Sequence, residues 1–159
     1  MTHTEVIVYL MTLKPVWVLT RNILFEAGNQ PYLGKQAVAA VVLNRVFNPK
    51  EFPDTVNEVI LQPKQFSWAN KGKFPLDRIK TPWLDDPLGW ARSKEVAEMA
   101  LSGNMVNPIN GCCYYFNPKL ARPTWAKKMV KVLSIENHDF YWNPGDPKLI
   151  VWNLPLKEA

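Results

Sequence analysis

The chain has 159 residues, of which 47% are hydrophobic and 12% aromatic, with a formal net charge of +5 and a pI of about 9.2. That length and apolar content fit a single domain with its own core over residues 1–159, with no second one needed. The two cysteines, Cys112 and Cys113, are adjacent, which excludes a loop-closing disulfide. The only histidines are His3 and His138, too few to complete a three-ligand zinc site, so no metal or other cofactor is expected. The positive charge favours polyanions without choosing among them.

In chain order, an apolar run from Val6 to Met11 comes first, with no Lys or Arg ahead of it and no small-residue cleavage site behind it. It is read as neither a signal peptide nor a membrane span. Pro15 stands at a first helical position and Gly28 just past an end, which predicts a helix over Val16–Ala27. A turn over Gly28–Pro31 leads into a second helix from about Leu33 to Phe47, whose stretch Gln36–Val46 is apolar on every side apart from Asn44 and Arg45 and is therefore the buried centre of the domain. Thr55 and Glu58 form a capping box that opens a short helix stopped by Pro63. Ser67 to Pro87 reads as a long loop, broken by Pro75, Pro82 and Pro87 and carrying Lys71, Lys73, Arg78 and Lys80, placed to line one wall of a groove. Asp86 and Pro87 start a third long helix that Gly103 ends after Ser102. Asn110-Gly111 turns into a strand over Cys112–Phe116, with both cysteines reduced and buried within it. A short helix begins at Thr124-Trp125. Met129–Ile135 and Phe140–Trp142 form a hairpin around Asn137-His138, and the Pro-rich tail wraps the surface.

Glu26 is the one acid between Val6 and Lys50, and helical spacing puts it on the face of Leu19 and Ile23. Two readings follow from position alone. In one it is a solvated Glu in the last turn before Gly28. In the other it is a buried carboxyl whose pKa rises from about 4.3 towards ~6, which suits a general acid near neutral pH.

The run Phe25-Glu26-Ala27-Gly28, followed by Pro31-Tyr32, Gly34-Lys35-Gln36-Ala37-Val38-Ala39 and Asn44-Arg45-Val46, resembles the signature of the SleB-type cell-wall hydrolases. The likeness continues at Phe52-Pro53, Gln62-Pro63-Lys64-Gln65-Phe66-Ser67, Tyr115-Phe116-Asn117-Pro118 and Ile135-Glu136-Asn137-His138-Asp139-Phe140-Tyr141. Several ordered blocks are far harder to match by accident than one motif. The chain departs from the pattern at Gly28-Asn29-Gln30, where the family often has Arg-Gly-Glu, and at Glu136, where Gly usually precedes Asn-His.

The resemblance implies an α+β fold, a mainly helical lysozyme or lytic-transglycosylase-like domain with a small antiparallel sheet. It implies cleavage of peptidoglycan glycan strands between N-acetylmuramic acid and N-acetylglucosamine, with Glu26 as the acid. Substrate contacts are then expected from Gln65, Phe66, Ser67, Tyr115, Phe116, Asn117, Trp125, His138 and Tyr141. Tyr115 and Phe116 alternate along a strand, so one faces the sugar and the other the interior. Phe66 also fits the core, and Trp125 also fits as a lid on the hairpin. The acids Asp54, Glu58, Asp85, Asp86, Glu136 and Asp139 each read as a cap or surface charge, which favours a one-carboxylate lytic transglycosylase over a hydrolytic muramidase. A zinc amidase lacks ligands, a nucleic-acid-binding domain lacks a motif, and a noncatalytic wall-binding module would share the same groove. The missing export signal fits a monomeric phage endolysin, made in the cytoplasm without membrane insertion and acting on the wall once the membrane is opened.

Overall fold

The computed structural model describes residues 1–156. It opens with a helix where the sequence reading saw only an apolar run. In α1 (His3–Met11) the Thr2 hydroxyl accepts the Glu5 amide at 3.1 Å, and Val6 and Leu10 are buried where the helix meets α4 (Val56–Leu61). The Thr2-x-x-Glu5 spacing is a capping signal that the expectation passed over. Helix α2 (Pro15–Ala27) begins at its proline, and α3 (Tyr32–Val46) is buried along almost its whole length between α2, α6 (Pro87–Ser102) and α4 (Val56–Leu61). That agrees with the largely apolar stretch Gln36–Val46 forming the centre of the domain. Thr55 caps α4, and Asp86 caps α6 (Pro87–Ser102), which ends at Gly103 in the left-handed region, φ 88°. Only a residue without Cβ adopts that conformation at no steric cost.

The segment expected as a loop between Ser67 and Pro87 is more regular than that. It holds a 3₁₀ turn (Ser67–Ala69), a short helix α5 (Leu76–Lys80) and a second 3₁₀ turn (Pro82–Leu84). The prolines start these turns rather than preventing them, because proline is tolerated in a first helical turn. A buried cation organises the segment from outside. Arg21 of α2 donates to the carbonyls of Ile79 and Lys80, both at 2.8 Å, and so pins the end of α5 to the core.

Three antiparallel strands form the sheet in the order β1 (Tyr114–Phe116), β3 (His138–Trp142), β2 (Val130–Ile135). Two expectations shift by two residues or fewer, each for a stated reason. Cys112 and Cys113, buried and reduced, lie ahead of the strand rather than in it. Asn44 donates to the Asn110 and Cys112 carbonyls and Arg45 to the Cys113 carbonyl, each at 2.8 Å, so α3 occupies groups that a strand ladder would need. The hairpin turns at Glu136-Asn137, since Ile135 pairs with His138, and Glu136 takes the left-handed φ of 52°. A short 3₁₀ helix (Thr124–Lys128) precedes β2. The tail folds back over the body, where the Trp152 indole donates to Asn44 Oδ1 at 2.9 Å and the Leu156 amide to the Leu101 carbonyl at 3.2 Å. Among the described residues no helix is long and apolar enough to cross a membrane.

Candidate active site

Helix α2 delivers Glu26 in its last turn. Leu19, Ile23 and Ala27 are fully buried and anchor the helix, while Phe25 packs on Trp68 and Phe74 with ring centroids 5.1 Å away in both cases. The Glu26 carboxyl therefore leaves the helix between the core and the sheet, where Tyr115 of β1 donates its hydroxyl to Oε1 at 2.5 Å. Burial raises the Glu26 pKa above the ordinary carboxylate value. The Tyr115 hydrogen bond and the Arg45 charge pull the other way without cancelling it. With Oε1 taken by Tyr115, Oε2 is left to carry the proton, an arrangement suited to a general acid.

Tyr115 is itself held on both sides. Its ring stacks on Phe140 at 5.4 Å and meets the His138 ring edge-on at 4.7 Å. His138 is buried, which lowers its pKa and keeps the ring neutral. Its Nδ1 accepts from the Gln30 amide at 3.4 Å. Gln30 sits in the turn after Glu26, where Lys35 Nζ donates to the carbonyls of Gly28 at 3.1 Å and Gln30 at 2.5 Å. Gly34 makes room for the Gln30 side chain, since a Cβ there would stand 2.2 Å from Oε1 of Gln30. A line of contacts thus runs from Lys35 through Gln30, His138 and Tyr115 to Glu26.

Arg45, 5% exposed, supports the strand end of this line. Besides its bond to Cys113, it donates Nη1 to Gln65 Oε1 at 3.0 Å, and its guanidinium lies 5.0 to 5.6 Å from the rings of Phe52, Phe66 and Tyr114. No acidic side chain forms an ion pair with it among the described residues. Its charge reaches Glu26 through the protein interior and favours the carboxylate. A buried, hydrogen-bonded cation near the acid is poised to stabilise the anion left when Glu26 gives up its proton.

Glu26 lines a cleft of about 290 Å³ with Gly28 and Asn29 on one side and Arg78, Pro82, Asp85 and Asp86 on the other. The second wall is the segment that Arg21 pins in place. Past Gly28 and Asn29 the cleft continues into a recess of about 300 Å³ bordered by Tyr32, Lys35 and Arg92. A larger recess of about 680 Å³, between Val16, Trp17, Met99 and Pro155, contains none of the Glu26, Tyr115 and Arg45 group, so size is a poor guide to the chemistry here.

The sequence-expected residues divide into two sets. Tyr115 reaches Glu26 directly, His138 reaches it through the Tyr115 ring, and Gln65 through Arg45. Phe66, expected as a substrate contact, is 2% exposed beneath Arg45, so it is core. Ser67 is exposed and begins a 3₁₀ turn, and Asn117 uses its side-chain oxygen to accept the Lys119 amide at 2.9 Å. Phe116, Trp125 and Tyr141 are not brought to Glu26. They form an aromatic cluster on the opposite face of the sheet, where Phe116 stacks on Tyr141 at 5.2 Å and Trp125 stands edge-on to both at 5.6 Å. Alternation along β1 and β3 explains the split, because Tyr115 pairs with Phe140 on the inner face and Tyr114 with Tyr141 on the outer. Sequence reasoning missed Gln30 and Lys35, and it read Asp85 as surface charge and Asp86 as a helix cap, although both also line the cleft. Arg45 carried a usable signal: the one cation of the buried stretch Gln36–Val46 has to find acceptors. Among the described residues no three His, Cys, Asp or Glu side chains are grouped to hold a metal ion.

Known proteins resemble this chain in sequence and in fold. The spore cortex-lytic enzyme of Oceanobacillus iheyensis is 35% identical over 118 residues, covering 72% of this chain and 37% of that protein. The one from Bacillus subtilis is 31% identical over 126 residues, covering 77% of this chain and 36% of its own length. The chain thus spans little more than a third of these curated relatives. Among solved structures, the catalytic domain of the germination-specific lytic transglycosylase SleB from Bacillus anthracis superposes with a TM-score of 0.61 at 28% identity, covering 80% of this chain and 93% of that domain. The catalytic domain of the Bacillus cereus SleB protein gives the same TM-score and identity, with 89% of that domain covered. The mainly helical fold with its three-stranded antiparallel sheet is therefore that of the SleB catalytic domain. Residues 29–141 match the family model described as cell wall hydrolase, a stretch that begins three positions after Glu26 and takes in the rest of the acid's support, and on that match the chain belongs to the cell wall hydrolase family.

Proposed function

We propose that the chain cleaves peptidoglycan glycan strands between N-acetylmuramic acid and N-acetylglucosamine as a lytic transglycosylase, with Glu26 as the single acid and base. The observation that carries the reading is a carboxyl with a raised pKa, hydrogen-bonded by Tyr115 and opening onto a cleft. Glu26 gives its proton to the linking oxygen as the bond to muramic C1 breaks, and the departing sugar leaves as an alcohol. The resulting carboxylate then takes the proton from the muramoyl C6 hydroxyl, whose oxygen closes on C1 to form the 1,6-anhydro ring. Glu26 ends protonated and no water is consumed. Intramolecular attack proceeds at an effective molarity of up to roughly 10⁵–10⁸ M, so a second protein nucleophile is dispensable. Tyr115 and Arg45 supply the stabilisation of the transient carboxylate.

Exchange of Glu26 for Gln tests the reading on purified sacculi. Clearing should fall by roughly 10²–10⁴-fold, the usual worth of a general acid, while co-sedimentation with the sacculi persists. Clearing at the parent rate would overturn it. A second reading, hydrolysis by a pair of carboxylates, is favoured by one observation, that Asp85 shares the cleft with Glu26. Asp85→Asn separates the two readings: a transglycosylase keeps its rate, whereas a two-carboxylate hydrolase loses it.

A further inference from the structure

A recess of about 350 Å³ lined by Tyr9, Leu13, Trp17, Arg21, Trp83 and Trp90 shares no residue with the Glu26 cleft. Its rings are ordered. Trp17 and Trp90 lie nearly parallel, 9° apart with centroids at 6.2 Å, and Trp83 stands at 61° to Trp90 at 5.4 Å. The Arg21 guanidinium lies 5.9 Å from the Trp83 ring and 5.4 Å from the Trp90 ring, fixed by its bonds to the Trp17, Ile79 and Lys80 carbonyls. The ring cluster therefore rests on a rigid base. Yet it is not sealed, for Trp83 remains 40% exposed. Large aromatic side chains fixed in place but left open to solvent are the usual composition of a binding surface.

The charges at the rim indicate what would bind. Lys94 Nζ sits 5.3 Å from the Trp17 ring and Lys80 Nζ 5.9 Å from the Tyr9 ring, so cations border the aromatic faces at two points. Flat apolar faces with flanking ammonium groups complement a polymer that offers the apolar faces of sugar rings together with carboxylates. The recess is also next to the cleft. Pro82 lines the cleft and Trp83 lines the recess, consecutive residues of one 3₁₀ turn. A chain lying in one can cross that ridge into the other within a few sugar units.

We propose that the recess formed by Trp17, Trp83 and Trp90 is a second glycan-binding site, which holds the acidic, peptide-bearing strand of peptidoglycan beside the Glu26 cleft. It rests on the reading that this cleft cleaves such strands. By retaining a strand between cleavages, the site would favour long substrates over short ones.

The test uses the whole chain and soluble peptide-bearing glycan strands released from sacculi by sonication. In a Glu26→Gln background, which prevents turnover, Trp83→Ala should weaken binding of long strands about tenfold, the loss of one aromatic platform. Trp83→Tyr should restore most of it. With Glu26 intact, Trp83→Ala should cleave a two-disaccharide fragment at the parent rate. Unchanged affinity for long strands would overturn the second site and leave the cleft's role standing. A parallel fall in short-fragment turnover would also overturn it, since the ring would then only support Glu26. So would tighter retention of a double-stranded DNA oligomer than of glycan. Should Trp83→Ala not fold, the indole N–H resonances of the Glu26→Gln protein decide: those of Trp17, Trp83 and Trp90 shift on adding strands if the site is real and stay fixed if it is not. Failure of the wild-type protein to clear sacculi would sink the cleft reading itself, a separate result.

Discussion

Replacing Tyr115 with Phe removes one hydroxyl and leaves the ring between Phe140 and His138, so it isolates the hydrogen bond to Glu26. That bond stabilises the ionised carboxylate and holds its pKa below the level that burial alone would set. A hydrogen bond to a charged group contributes about 1.5–3 kcal/mol, so losing it should let the Glu26 pKa climb further in the variant. The sign for activity follows from the role of Glu26 as an acid. It must hold its proton before cleavage, so kcat/KM falls as pH rises through its pKa. In Tyr115→Phe that basic limb should move to higher pH. The plateau should drop by about 10–100-fold, because the carboxylate formed in the transition state has lost a donor. Clearing of purified sacculi across the pH range gives the limb, and a ¹³C carboxyl titration of the Glu26 side chain gives the pKa directly. A basic limb that stays put, or moves to lower pH, would refute the assignment of the titrating acid and of the Tyr115 bond to it.

Two further outcomes concern the frame around the site. Arg45→Lys keeps the charge but cannot serve Cys113 and Gln65 together or lie flat against Phe52 and Phe66; unfolding free energy should fall by about 2–3 kcal/mol, which lowers the melting temperature by roughly 5–10 °C. Burial, followed by its hydrogen bond to Glu51, pushes the Asp146 carboxyl up to about 6. Because this folded-state pKa lies above the ordinary 3.8, the folded protein holds the proton more tightly, and the group's contribution to stability increases as pH falls from above 6 towards 4. Asp146→Asn should therefore raise the melting temperature at mildly alkaline pH and flatten its dependence between those limits. A melting temperature that drops at alkaline pH would contradict this.

The parts of the fold that were legible in the sequence are those governed by local signals. Asp86 with Pro87 and Gly103 bracket α6 as read, and the unbroken apolar run of α3 marks the centre of the domain. Glu26 stood out for the same kind of reason, as a lone acid on a buried helical face. What stayed hidden depends on contacts distant in sequence. Neither Asn44 nor Arg45 announces that it will take the carbonyls before β1 and delay that strand. The alternation of Tyr115 and Phe116 was visible, but only pairing with Phe140 and Tyr141 decides that Tyr115 turns to Glu26 while Phe116, Trp125 and Tyr141 gather on the other face. Asp85 looked like surface charge, and Asp86 like a helix cap and nothing more, because nothing near them in sequence shows that Arg21, some sixty residues earlier, draws their segment against the cleft. α1 is the exception: its capping pair was in plain view and only its shortness concealed it.

The most direct measurement is the mass of the muropeptides released from purified sacculi by the wild-type chain and by Glu26→Gln. Wild type should release species ending in 1,6-anhydromuramic acid, one water lighter than reducing-end products, and Glu26→Gln should release neither. Reducing-end products as the main species, or undiminished release by Glu26→Gln, would contradict transglycosylation by this single buried acid.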